Sequence, residues 1–137
     1  MPWDLEEVLN QDNPPILLDV REPAEFSAMH IKGSINVPRG ILEIVCDNDN
    51  KENAPELINA RNQEITVICG SGKRSVMAAS SMKNMGYTKS ISLKTGLKGW
   101  NDYNLPLIDK DGNNINPDKV EKFLSFNTKP TQFTHRE

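Results

Sequence analysis

An α/β fold is predicted for this chain, with a mostly parallel central sheet and helices on both faces. Three observations carry that expectation. Short apolar runs of strand length alternate with segments of helical character, the arrangement that gives parallel sheets covered on both sides. The 137 residues are enough for one domain with a hydrophobic core of its own. The two cysteines, Cys46 and Cys69, are too few for a disulfide framework, so packing must hold the fold.

The elements are expected in order. Asp4-Leu5-Glu6-Glu7 has capping-box spacing and predicts a short helix over residues 4–10, stopped by Pro14-Pro15. Residues 16–20 form an apolar strand. Pro23 suits the first turn of a helix over 23–29, with Glu22 and Glu25 near its positive end. A second strand over 34–37 closes on Pro38, and 41–45 make a helical turn or two. Residues 47–53 are polar and Asn-rich and read as a loop before a short helix at 55–60. The strand over 65–68 ends on Cys69. A helix over 75–85 stopped by Gly86, a strand over 90–93 and a helix over 96–103 complete the domain, set at residues 1–108. Residues 109–137 read as a C-terminal extension. It holds a short helix over about 117–125, with Val120, Phe123 and Leu124 on one face that packs on the domain, followed by a loose tail from 127.

Charge is distributed unevenly. Residues 1–64 carry 13 acids and 5 bases, residues 65–101 carry 6 bases and no acid, and residues 102–137 carry 6 acids and 5 bases. An acidic chain thus gathers its positive charge in the segment that holds Cys69, a field that attracts small anions and favours a thiolate. That segment is short and the chain is only 6% aromatic, so nucleic-acid binding is not indicated. No apolar run approaches the length of a membrane span. The acidic start lacks the regions of a signal peptide, and the expected location is the reducing cytoplasm, which suits a free thiol. No His/Cys cluster has metal-ligand spacing, and neither metal nor cofactor is implied.

Cys69-Gly70-Ser71-Gly72-Lys73-Arg74-Ser75 is the segment richest in chemistry. A thiol stands at the mouth of a strand–loop–helix unit, where backbone N–H groups can point inward and a helix N-terminus lies behind. Gly70 and Gly72 allow close backbone approach, and Lys73 and Arg74 bring charge beside the sulfur. Cys69 therefore reads as a nucleophile in an anion cradle. Cys46 precedes a polar loop, where a thiol could serve as a resolving partner.

Three segments in this order resemble the rhodanese family of sulfurtransferases in its single-domain form, over residues 3–107. The first is Leu18-Asp19-Val20-Arg21-Glu22-Pro23-Ala24-Glu25-Phe26, followed by His30-Ile31-Lys32-Gly33-Ser34-Ile35-Asn36-Val37-Pro38. The second is the Cys69 loop, and the third is Gly96-Leu97-Lys98-Gly99-Trp100. Met29 and the pair Thr95-Gly96 depart from the family pattern, which often has glycine before the histidine and a Gly-Gly pair; neither departure is expected to touch the loop. Four residues separate Cys69 from Arg74, the loop length of this family, where the related cell-cycle phosphatases have five.

The resemblance implies a rhodanese-like fold and a two-step sulfur transfer through a Cys69 persulfide. The donor is a small anion such as thiosulfate or a persulfide, and the acceptor is cyanide or a thiol, including a protein thiol. Gly70, Ser71, Gly72, Lys73, Arg74 and Ser75 are implied to bind substrate, with Arg74 holding sulfonate oxygens and Ser75 capping the following helix. Asp19 and Arg21 are expected to pair beneath the site, while His30 and Trp100 are expected to be structural. A persulfide carrier serving a partner protein, or a non-catalytic binding module, are the competing readings.

Overall fold

The computed structural model describes residues 1–47, 49–50 and 54–127, with side chains described through 125. Helix α1 (Pro2–Leu9) leads into strand β1 (Ile16–Asp19), helix α2 (Pro23–Ala28) and strand β2 (Ile35–Asn36). A 3-10 turn at Arg39–Ile41 precedes the short helices α3 (Leu42–Val45) and α4 (Pro55–Ile58). Strand β3 (Ile65–Ile68), helix α5 (Lys73–Asn84), strand β4 (Ser90–Ser92), helix α6 (Gly96–Asp102) and helix α7 (Pro117–Asn127) follow.

The four strands pair in the order β2-β1-β3-β4, and every pairing is parallel. Leu18 stands opposite Ile35 on one side and Val67 on the other, and Val67 stands opposite Ser92. From β1 the chain crosses outward to β2, whereas from β3 it crosses the other way to β4. The switch in direction lies between the carboxyl ends of β1 and β3, where open α/β sheets place their ligands.

Strand alternation divides the core into two layers. Leu18, Val20, Ile65 and Val67 meet Leu42, Leu57, Ala78 and Met82 from α3, α4 and α5. Leu17 and Ile68 meet Leu5, Leu97 and Trp100 from α1 and α6 on the other face. Helices therefore cover both faces, as the sequence predicts. Val120 and Leu124 of α7 are buried in the second layer, so the predicted apolar face of the extension does pack on the domain.

Several boundaries move. Helix α1 begins at Pro2, two residues before the expected start. Pro at the first helical position supplies the nucleus, Asp4 lies inside the first turn, and no side chain caps the end. In α2 the capping box is instead formed by Glu22 and Glu25, around Pro23. Helix α5 starts at Lys73, with Gly72 as its N-cap in the left-handed region at φ +93°. Ser75 is therefore not a cap. Asn48 and residues 51–53 of the expected loop, and residues 128–137 of the expected tail, lie outside the described residues. No helix among the described residues is long and apolar enough to cross a membrane.

Candidate active site around Cys69

The site stands on the carboxyl ends of β1 and β3. One residue beyond β3, Cys69 is fully buried, and its Sγ accepts hydrogen bonds from the backbone N–H of Gly72 at 3.0 Å and of Ser75 at 3.3 Å. The Ser75 hydroxyl lies 3.4 Å from the same sulfur. Two amides from the start of α5 thus donate to one sulfur atom, and the Ser75 oxygen stands beside it to accept from the thiol. This arrangement stabilises negative charge there through fixed dipoles rather than mobile side chains.

The loop is shaped from behind by α6. Leu97 N–H donates to the Cys69 carbonyl and Lys98 N–H to the Gly70 carbonyl, each at 2.9 Å. These bonds turn the Cys69 and Gly70 carbonyls toward α6, while the Gly72 and Ser75 N–H groups face the sulfur. The approach is close enough that a Cβ on Gly96 would lie 2.6 Å from the Cys69 carbonyl oxygen, and Gly96 has φ +60°. Thr95, next to it, is a β-branched residue at φ +70°, and its N–H would lie 3.1 Å from a Cβ on Gly72. The expectation that Thr95-Gly96 stays clear of the loop is therefore corrected: the pair forms its rear wall. The third sequence motif is part of the site because its glycine lets two helix-start amides reach the loop.

Beneath the site, Asp19 and Arg21 form the expected pair, and both side chains are fully buried. Arg21 donates from Nε at 3.0 Å and Nη2 at 2.9 Å, and its own backbone N–H donates to Asp19 Oδ1 at 3.0 Å. Nη2 also donates to the Met29 carbonyl at 2.5 Å. Among the described residues Arg21 Nη1 has no hydrogen-bond partner, so the Asp19 carboxylate carries most of the compensation for a buried guanidinium. Asn36 Nδ2 bonds the Asp19 and Arg21 carbonyls and fixes the end of β1.

Arg74 lies in the first turn of α5 and reaches across to α2. Its Nη1 and Nη2 donate to Glu25 Oε1 and Oε2 at 3.0 and 3.1 Å, so the guanidinium is paired with a carboxylate on α2, a contact the sequence does not predict. Burial alone would push the Glu25 carboxyl up. The Arg74 hydrogen bonds, the Glu22 N–H and the positive field of Arg74 and Arg21 outweigh that and hold it below its ordinary value. From the sequence, Glu25 is an acid near the positive end of a helix and a member of the first resembling segment; its contact with Arg74 is a tertiary one that no local spacing expresses. Lys73 remains exposed at the first turn of α5.

Beside the loop lies an open groove of about 630 Å³ lined by Ser71, Gly72, Lys73, Val76, Ser92, Lys94 and Thr95. Two lysines therefore flank a surface that reaches from the loop to the end of β4. His30 and Trp100 take structural roles. The His30 ring stacks on Phe26 with Nδ1 2.8 Å from the Phe26 carbonyl, and Trp100 Nε1 donates to the Pro106 carbonyl at 2.9 Å.

Cys46 is buried, with its sulfur 3.9 Å from Met82 Sδ. Burial pushes its thiol up, against weaker opposing effects of Tyr87 and Arg61. An apolar, protonated thiol in the core is poorly placed to resolve a persulfide, so the resolving role considered from sequence is not supported. Among the described residues, no group of three or more His, Cys, Asp and Glu side chains could hold a metal ion.

Comparison with known proteins places the chain in a family. Residues 2–103 match the family model described as a rhodanese-like domain. YrkF of Bacillus subtilis strain 168, provisionally named a sulfur carrier protein, is 39% identical over 97 residues, which are 71% of this chain and 44% of YrkF. A protein of Allochromatium vinosum named sulfurtransferase is 25% identical over 71% of this chain and 81% of its own length. Among solved structures, a thiosulfate sulfurtransferase from Pseudomonas aeruginosa superposes with a TM-score of 0.66 and 26% identity, covering 79% of this chain and 19% of that one. The chain thus spans less than half the length of YrkF, and 60% of a similar Escherichia coli K12 protein, YibN.

Proposed function

The chain belongs to the rhodanese-like domain family, and from that membership and the geometry around Cys69 we propose that it moves a sulfane sulfur from a small anionic donor to an acceptor through a Cys69 persulfide. Convergence of the Gly72 and Ser75 amides on Cys69 Sγ is the observation that carries this reading. In the first step the Cys69 thiolate attacks the outer sulfur of a donor such as thiosulfate. The new S–S bond forms as the bond to the sulfonate sulfur breaks, and sulfite leaves with that electron pair. In the second step cyanide or an acceptor thiolate attacks the outer persulfide sulfur, and the Cys69 thiolate is regenerated. Both steps keep negative charge at the loop centre, where the fixed amides stabilise it.

The short loop and the full burial of Cys69 favour a slim donor that presents a single sulfur atom over a bulky phosphoester. Lys73, exposed at the loop, attracts the anion, while Arg74 locks the loop to α2. We expect Lys73→Ala to raise the KM for thiosulfate about tenfold with little change in kcat, the pattern of lost uniform binding. Unchanged KM would remove Lys73 from the donor site.

A second reading has its own support. The similarity to YrkF, with the lysine-flanked groove beside the loop, favours delivery to a protein thiol. A loaded chain that discharges slowly to cyanide and rapidly to a protein thiol would select this reading; rapid turnover with cyanide would select the small acceptor.

A further inference from the structure

Ser92 was not singled out by any sequence motif, yet it reaches the sulfur through one intermediary. It ends β4 on the face that meets α5, and its Oγ lies 2.7 Å from Ser75 Oγ. Ser75 is fully buried, 3.4 Å from Cys69 Sγ and 3.2 Å from the Gly72 carbonyl oxygen. Ser92 is only partly buried and lines the groove beside the loop, so it stands between solvent and the buried hydroxyl.

A hydroxyl has one proton to give and two lone pairs with which to accept. Ser75 has three neighbours that can take that proton: the sulfur, the Gly72 carbonyl and Ser92 Oγ. With a neutral thiol, the S–H can donate to Ser75 Oγ, and Ser75 then donates to Gly72 or Ser92. With a thiolate or persulfide anion at residue 69, the S–H is gone. A hydrogen bond to the charged sulfur is then the strongest use of the Ser75 proton. The 2.7 Å contact can persist in that state only with Ser92 as the donor.

We propose that Ser92 is a positioning residue for the Cys69 sulfur: by donating to Ser75 it holds the Ser75 hydroxyl aimed at the sulfur whenever the sulfur is anionic. The two hydroxyls form a relay whose direction follows the charge on the sulfur, and neither loses its proton. The chain Ser92→Ser75→Cys69 polarises along its length, so loss of the outer donor weakens the inner bond. The proposal rests on Cys69 working as an anionic nucleophile, as the preceding section holds.

The test compares Ser92→Thr with Ser92→Val, which are close in shape and differ in the hydroxyl, in the full chain carrying Cys46→Ser so that Cys69 is the sole thiol. The alkylation rate of Cys69 by iodoacetamide at neutral pH should fall about threefold in Ser92→Val and stay near the parent rate in Ser92→Thr, the scale expected for a second-order hydrogen-bond effect. Urea midpoints of the two variants are compared in parallel, since a merely structural role would shift the midpoint without separating the two rates. Equal rates in Thr and Val variants, or a Cys69 that is not alkylated in the parent, would overturn the proposal. Alkylation needs no sulfur donor. If the parent takes no sulfur from thiosulfate or a persulfide while the Thr and Val rates still differ, the transfer reading fails and the relay stands.

Discussion

Glu25 and Arg74, 49 residues apart in sequence, are joined by two parallel hydrogen bonds of 3.0 and 3.1 Å that fasten helix α2 to the first turn of α5, directly after the loop bearing Cys69. The pair sits at the rim of the site, with Glu25 17% and Arg74 43% exposed, and Glu25 also accepts from the Glu22 N–H in the capping box of its own helix. One carboxylate thus terminates a helix and anchors a loop. The planar fork of arginine suits that task in a way lysine does not.

Breaking this clamp should loosen the loop and weaken acid sensitivity together. Glu25→Gln is expected to cost about 0.5–1 kcal/mol at neutral pH, the scale of a well-formed but partly exposed pair, and to slow sulfur loading about threefold. Because the Glu25 carboxyl is held below its ordinary value, the clamp's contribution is complete above that ordinary value. It is lost as the pH falls through the lower folded value. Urea unfolding of parent and variant across the acid range should show their difference shrinking toward zero on acidification. A difference that is constant with pH would contradict the assignment.

Thr95 and Gly99 should be coupled with a change of sign. Thr95 occupies the left-handed region, and a Cβ at Gly99 would lie 2.6 Å from Thr95 Cβ and overlap its Oγ1, so the threonine side chain fills the space that the glycine leaves. Gly99→Ala alone is expected to destabilise by about 2 kcal/mol through that overlap. In a Thr95→Gly background the same change should stabilise by about 0.5–1 kcal/mol, because alanine is the better helix former. A urea double-mutant cycle measures the coupling, and additive effects would refute it.

Cys46 should matter for stability and not for chemistry. Cys46→Ser places a hydroxyl in the apolar layer beside Met82 and is expected to cost about 1–2 kcal/mol, while sulfur loading of the folded protein stays at the parent rate. A large fall in loading with stability intact would restore Cys46 as a working thiol.

The fold was legible because its signals are local: the apolar runs at 16–18 and 65–68 are buried strands, and Pro23 opens α2 as its fixed φ requires. The placing of Cys69 between the end of β3 and the start of α5 was legible for the same reason, since its glycines, cations and helix start are contiguous. The remaining site features depend on tertiary contact. That Arg74 turns to Glu25 is decided by the packing of α2, and that Ser75 lies inside a helix rather than at its cap is decided by the left-handed Gly72. Thr95-Gly96 forms the loop's rear wall because β4 runs beside β3, a relation that no spacing along the chain expresses. Cys46 precedes a polar loop, yet as the residue that follows α3 it is buried against Met82.

The most direct test of the central claim is the intact mass of the full chain and of Cys69→Ser after brief exposure to thiosulfate, with a persulfide donor in parallel. The account predicts a gain of one sulfur atom, about 32 Da, in the parent alone, removed by cyanide or a reductant. No gain from either donor, or an equal gain in Cys69→Ser, would contradict it.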